Sequence, residues 1–262
     1  WSALLVWLAF NPAPNSGGDN AAYLALTDAL LKGAGYVDAY DPLSAPQSKY
    51  PPLFPLLLAG AALLGASTWV AFKLVAAVAT VLATGFVVLW AERRLGPWRA
   101  FAVSVLLAAA AGVVYYSHWI LSDPVFVLLT VSALWALERS ESRSWDPRWL
   151  AGGVAAALGA YFTRSAGIPL LVAVLAWLAL RRRYRALGAV AAILAVPAGL
   201  WWIRSLGVGV GDYGAEFWLV DPYQPGLGTV GPAGLLGRAA ANAVAYATRH
   251  VPAAPVGPQG AW

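Results

Sequence analysis

Seven side chains in this sequence could do chemistry together: Asp19, Tyr23, Lys49, Tyr50, His118, Asp123 and Arg164. Asp19 and Lys49 lie in a polar segment, 11–52, set among strongly apolar runs. A carboxylate can accept a proton from an attacking hydroxyl, and a lysine or arginine can neutralise a phosphate. Each residue also has a plainer role. Asp19 precedes a helical stretch, 21–31, and could serve as its N-cap, accepting backbone N–H groups. Capping and catalysis are compatible, because an acid fixed at a helix start is well oriented. Lys49, before Tyr50-Pro51-Pro52, could simply snorkel to an interface. His118 could be a packing residue, and Asp123 before Pro124 could start the next helix. Arg164, in Thr163-Arg164-Ser165-Ala166-Gly167, is the exception, since it stands between two apolar spans on the side where arginine is otherwise scarce.

The elements that position these residues follow from composition. The chain is 60% hydrophobic and 11% charged, and several apolar runs approach the roughly 20 residues that cross a bilayer. Candidate spans are 1–10, 68–90, 99–116, 124–137, 149–162, 168–180 and 186–203. Three short connecting loops carry Arg93, Arg94 and Arg99, then Arg139, Arg143 and Arg148, then Arg181, Arg182, Arg183 and Arg185. These are ten of the 17 basic residues, and by the positive-inside rule their loops face the cytoplasm. Eight of the 12 acids, Asp19, Asp28, Asp38, Asp41, Asp123, Asp212, Glu216 and Asp221, lie elsewhere. The net charge of +5 is therefore an orientation signal, and no nucleic-acid partner is expected.

Parity then places 11–67 outside as a first extracytoplasmic loop. The greasy run 53–64 within it is too short to span, at about 18 Å against a core of about 30 Å. A short helix at the outer interface is expected there, started by Pro51-Pro52. The organisation expected is an all-α, polytopic transmembrane bundle over 1–203, with juxtamembrane helices in the first loop. Residues 204–262 form an extracytoplasmic tail or loop containing a helix-like run, 233–250. Neither methionine nor cysteine occurs, and the chain reads as part of a longer membrane protein. With only His118 and His250 and no thiol, a zinc site would need carboxylates for most ligands. No metal or other cofactor is expected, and no ordered phosphate-binding glycine motif occurs.

Four passages, in this order and on this side, resemble the GT-C membrane glycosyltransferases, in particular the protein O-mannosyltransferase and lipid A aminoarabinose-transferase branch. They are Gly18-Asp19-Asn20-Ala21-Ala22-Tyr23, Ser48-Lys49-Tyr50-Pro51-Pro52-Leu53-Phe54, Leu121-Ser122-Asp123-Pro124, and Tyr161-Phe162-Thr163-Arg164-Ser165-Ala166-Gly167. The resemblance implies a polyprenyl-phosphate-linked sugar as donor and a hydroxyl-bearing acceptor. It implies that Asp19 is the catalytic acid-base group and that Lys49 contacts the lipid phosphate. Tyr23, Tyr50, His118, Asp123 and Arg164 are further candidates for holding the phosphate or sugar. Many relatives have Asp-Glu where this chain has Asp19-Asn20, Glu at the position of Asp123, and Pro-Glu at Ser165-Ala166. The rival readings are an oligosaccharide transferase or polymerase of the same superfamily, a transporter or flippase, which would place charges inside its spans, and a non-catalytic membrane scaffold.

Overall fold

The computed structural model describes residues 2–15, 18–208, 213–221 and 224–253. Trp1, Gly17, Asp212 and residues 254–262 fall outside them. Among the described residues the regular structure is helical, apart from two isolated antiparallel bridges, Val37 with Pro46 and Leu219 with Thr229. In chain order the helices are α1 (Ser2–Ala9), α2 (Asn20–Leu31), α3 (Leu53–Leu63), α4 (Trp69–Leu95), α5 (Pro97–Ala109) and α6 (Ala111–Tyr116). They continue with α7 (Asp123–Ser142), α8 (Pro147–Thr163), α9 (Ile168–Leu180), α10 (Tyr184–Leu206), α11 (Tyr213–Trp218) and α12 (Pro232–Ala245).

The long helices are delimited by local chemistry. Thr68 caps α4 by accepting the Ala71 N–H at 3.2 Å, and Gly96, at φ +81°, stops it just after Arg93 and Arg94. Those arginines sit where a helix dipole favours positive charge. Asp146 caps α8 through the Arg148 N–H at 2.9 Å, with Pro147 in the first turn. By length and composition, α4 and α10 are able to cross a membrane unaided. The expected span 99–116 is not one helix. It breaks at Ala110, whose backbone is extended (ψ 105°) and whose carbonyl accepts the Val113 N–H at 2.9 Å as α6 begins.

The bundle packs through small residues. Ala133, Ala157 and Ala160 are buried between α7 and α8. A Cβ on Gly153 would fall 2.8 Å from Leu137 Cγ, so this pair approaches too closely for anything larger than glycine. Small residues at helix contacts are the usual device where lipid competes for apolar side chains. Large apolar side chains such as Leu200, Trp202, Ile203 and Leu206 face outward instead, an exposure suited to acyl chains rather than water.

Charge marks the two ends. α7 runs 20 residues, about 30 Å, from Asp123 to the turn after Arg139. α8 returns from Arg148 to Arg164. At the arginine end Arg94 pairs with Glu138 at 2.8 Å and Arg181 with Glu141 at 2.9 Å. These bonds tie all three arginine loops to one end of the bundle. Asp19, Lys49, Asp123 and Arg164 gather at the other. There α2 and α3 pack together, and α3 buries Phe54 and Leu58 while exposing Leu63.

Candidate functional site

Asp19 directly precedes α2, but its side chain makes no capping bond. Its Oδ1 accepts the Tyr50 hydroxyl at 2.8 Å instead. The capping role open to Asp19 in the sequence is thus not the one it takes, and its carboxylate turns toward the second polar passage. The next residue explains how the loop is held. Asn20 is buried and its Oδ1 accepts the Ile120 N–H at 2.9 Å, fastening the start of α2 to the turn 117–122. A buried amide bonded across 100 residues fixes the loop, because leaving that N–H unpaired would cost about 1–3 kcal/mol.

Tyr23, one turn further, is also buried, and its hydroxyl bonds Ser122 Oγ at 2.7 Å. Burial pushes its phenol well above the ordinary tyrosine range, so it serves as a neutral hydrogen-bonding group. Its ring meets Tyr50 edge-on at 5.1 Å and Phe54 at 4.9 Å. Ser122 in turn lies 3.3 Å from Arg164 Nη1, which bonds Asp123 Oδ2 at 2.5 Å. Four sequence candidates thus join through one short network, running from Tyr50 and Tyr23 to Asp123 and Arg164.

Arg164 is placed by its neighbours. It ends α8 in an extended conformation (φ −150°, ψ 139°), and Ser165–Gly167 form a 3-10 turn leading into α9. A Cβ on Gly167 would lie 2.6 Å from the backbone N and Cα of Tyr161. Glycine is therefore required for this turn to fold against α8 and present Arg164 inward.

Lys49 is placed by a second set of contacts. Gln47 Oε1 accepts the backbone N–H groups of Ser48 and Lys49 at 2.9 and 2.8 Å. Arg204, at the end of α10, donates to the carbonyls of Gln47 (2.7 Å) and Tyr36 (3.2 Å). Tyr36 donates its hydroxyl to the Tyr50 carbonyl at 2.8 Å. The Lys49 ammonium pairs with Glu216 Oε1 at 2.8 Å, 167 residues away. Arg238 of α12 donates to the carbonyls of Leu219 (2.8 Å) and Phe217 (2.6 Å), which fixes the segment carrying Glu216.

These side chains surround a cavity of about 880 Å³. Asp19, Tyr23, Lys49, Tyr50 and Arg164 line it from the expected set, and Glu216 and Arg238 close it from the tail. Asp123 reaches it through Arg164. His118 is not among the lining residues. It is buried against Phe10 and Tyr115, with centroids 6.3 and 6.2 Å away. Burial, then the nearby Lys73 ammonium, holds its imidazole below the usual histidine range, opposed by the Val114 carbonyl. Lys73 itself is fully buried and bonds the carbonyls of Asn11 (2.7 Å) and Ala13 (2.5 Å), pinning the chain as it leaves α1. Among the described residues no three His, Asp or Glu side chains gather as a metal site. No role follows from the sequence for Glu216, Ser122 or Asn242, the last of which also lines the cavity. The first has no spacing signal, because its partner is distant and its own segment is rich in glycine and proline.

The arrangement sets two carboxylates, Asp19 and Glu216, and three cations, Lys49, Arg164 and Arg238, around one chamber at the end of the bundle away from the arginine loops. Residues 49–202 match the family described as dolichyl-phosphate-mannose-protein mannosyltransferase. The chain belongs to that family. Among solved structures, the crystal structure of ArnT from Cupriavidus metallidurans in the apo state is similar, with a TM-score of 0.61 at 19% identity. The likeness covers 97% of this chain and 50% of that one, so the chain spans about half the length of ArnT. No curated protein matches. The GT-C-like all-α fold expected from the four passages is thus the fold observed, and the family match begins at Lys49 and runs through Arg164.

Proposed function

We propose that this chain carries the catalytic half of a membrane glycosyltransferase moving a sugar from a polyprenyl phosphate to a hydroxyl acceptor. The observation that carries the reading is the Asp19 carboxylate, held by Tyr50 in a chamber that it shares with Lys49 and Arg164. The family description names a dolichyl-phosphate-linked mannose and a protein acceptor. This supports the lipid-phosphate donor class, and a mannosyl donor is the first to test. The chamber lies at the end opposite the arginine loops, so by the positive-inside rule it faces the extracytoplasmic side of the cell membrane.

In the reaction the acceptor oxygen forms its bond to the anomeric carbon as the bond from that carbon to the phosphate oxygen breaks. The leaving electron pair stays on the phosphate, and the acceptor's proton passes to Asp19. Tyr50 donates to one carboxylate oxygen and leaves the other to receive the proton. A single displacement of this kind inverts the anomeric centre. Charge growing on the phosphate is met by Lys49 and Arg164, whose carboxylate partners, Glu216 and Asp123, occupy them in this structure. The two cations supply the neutralisation without a metal ion.

The test is release of free polyprenyl phosphate by full-length protein reconstituted in lipid, across a panel of polyprenyl-phosphate sugars and hydroxyl acceptors. Asp19→Asn should lower release by about 10²–10⁴-fold with the folded amount unchanged. Full activity in that variant would remove Asp19 as the base. No release with any donor from well-folded wild type would remove the glycosyltransferase reading.

A further inference from the structure

At the opposite end of the bundle the arginines divide into two kinds. Arg94 and Arg181 are each matched by a glutamate, and Arg183 stacks over Trp145 at 4.4 Å. Arg93, Arg139, Arg143 and Arg148, among the described residues, have no carboxylate partner within ion-pair distance, and the buried Nε of Arg139 has no hydrogen-bond partner. Arg143 and Arg148 line a cavity of about 500 Å³ whose floor is Phe86, Trp135, Ala156 and Trp149. Phe86, Trp135 and Trp149 form a continuous edge-to-face stack, with centroids 5.4 and 5.0 Å apart. Arg93 and Arg139 lie over that stack, both 5.6 Å from Trp135 and Arg139 also 5.1 Å from Trp149. Asp146 is the one acid at the rim, and it is engaged in capping the Arg148 N–H.

We propose that this cavity binds the headgroup of an anionic phospholipid. The arginine forks suit phosphate oxygens, which accept paired N–H donors in one plane. The aromatic floor suits the glycerol and the first acyl carbons, because indole rings settle at the headgroup level of a bilayer. A soluble anion would use the arginines and leave the floor wet. A zwitterionic lipid would bring its own ammonium against the unmatched arginines. Basic pockets between helices at the positive face are suited to anionic headgroups, and each basic residue there adds measurably to the attraction. The site is separate from the Asp19 chamber, since it sits at the other end of α7 and α8.

The experiment is native mass spectrometry of the full-length protein with phosphatidylglycerol or phosphatidylcholine of matched chain length. Phosphatidylglycerol should be retained preferentially by wild type. Arg143→Gln with Arg148→Gln should weaken that retention about 10- to 30-fold. Arg181→Gln, which removes a glutamate-paired arginine, should leave it within a factor of about two. Equal retention of the two lipids by wild type would overturn the proposal without any variant. An equal loss in Arg181→Gln would reduce the effect to general charge attraction and overturn it too. Displacement of phosphatidylglycerol by inorganic phosphate at comparable concentration would show that the floor contributes nothing, and the lipid assignment would fall.

Discussion

At the scale of single residues the site is built from polar side chains that hold one another. Tyr50 is the clearest case. Its hydroxyl bonds Asp19, its carbonyl receives Tyr36, and its ring packs on Tyr23. Under the proposed mechanism the hydroxyl orients the base and the ring does not touch the chemistry. Tyr50→Phe keeps the ring and should lower kcat about 10- to 100-fold, as expected for losing one hydrogen bond to a charged group. The donor KM should change little, and an unchanged kcat would show that Asp19 is oriented by something else. Lys49 is the complementary case, since Glu216 already occupies it at 2.8 Å. Both side chains are about a quarter to a third exposed, so the pair is weak. Glu216→Gln should lower the donor KM about two- to fivefold with kcat unchanged. A raised KM would assign Glu216 to donor binding instead of competition with it.

At the scale of elements, the turn between α8 and α9 determines where Arg164 points. Gly167 is the residue on which it depends, because any side chain there meets the Tyr161 backbone at 2.6 Å. Gly167→Ala should cost about 1–3 kcal/mol of stability, the usual range for overpacking. It should also raise the donor KM by displacing Arg164. Thermal unfolding in detergent and steady-state kinetics read the two effects separately, and wild-type values in both would show that the turn has room to relax. The sequence shows this turn as a run of small residues carrying one arginine. It does not show the close approach, which arises only when α8 and the 3-10 turn fold together. The same holds for Ala110, where a span that reads as continuous divides into α5 and α6.

At the scale of the whole molecule, the two clusters of charge lie at opposite ends, and chemical labelling can test the orientation we propose from them. Tyr40 is exposed in the first loop and Ser142 is exposed in the last turn of α7. The sequence contains no cysteine to interfere. Tyr40→Cys should react with an impermeant maleimide on intact cells, and Ser142→Cys only after the membrane is opened. Labelling of both from one side would overturn the extracytoplasmic assignment of the Asp19 chamber.

The sequence by itself determined the all-α class and most of the long helices, because apolar length acts locally and needs no partner, and its arginine placement is what the proposed sidedness rests on. It also offered the candidates Asp19 and Lys49 as charges in a polar segment, Arg164 as an isolated arginine between two spans, and Tyr23 and Tyr50 through the passages that carry the family resemblance. Only the tertiary structure decided what those residues touch. Asp19 turns to Tyr50 rather than to its own helix, Asn20 reaches Ile120, and His118 packs away from the chamber. Glu216 and Arg238 enter from a tail that carries no motif. Side-chain partners separated by 31, 100 or 167 residues leave no periodic trace. Their meeting depends on how helices cross and where loops return, which no window along the chain contains.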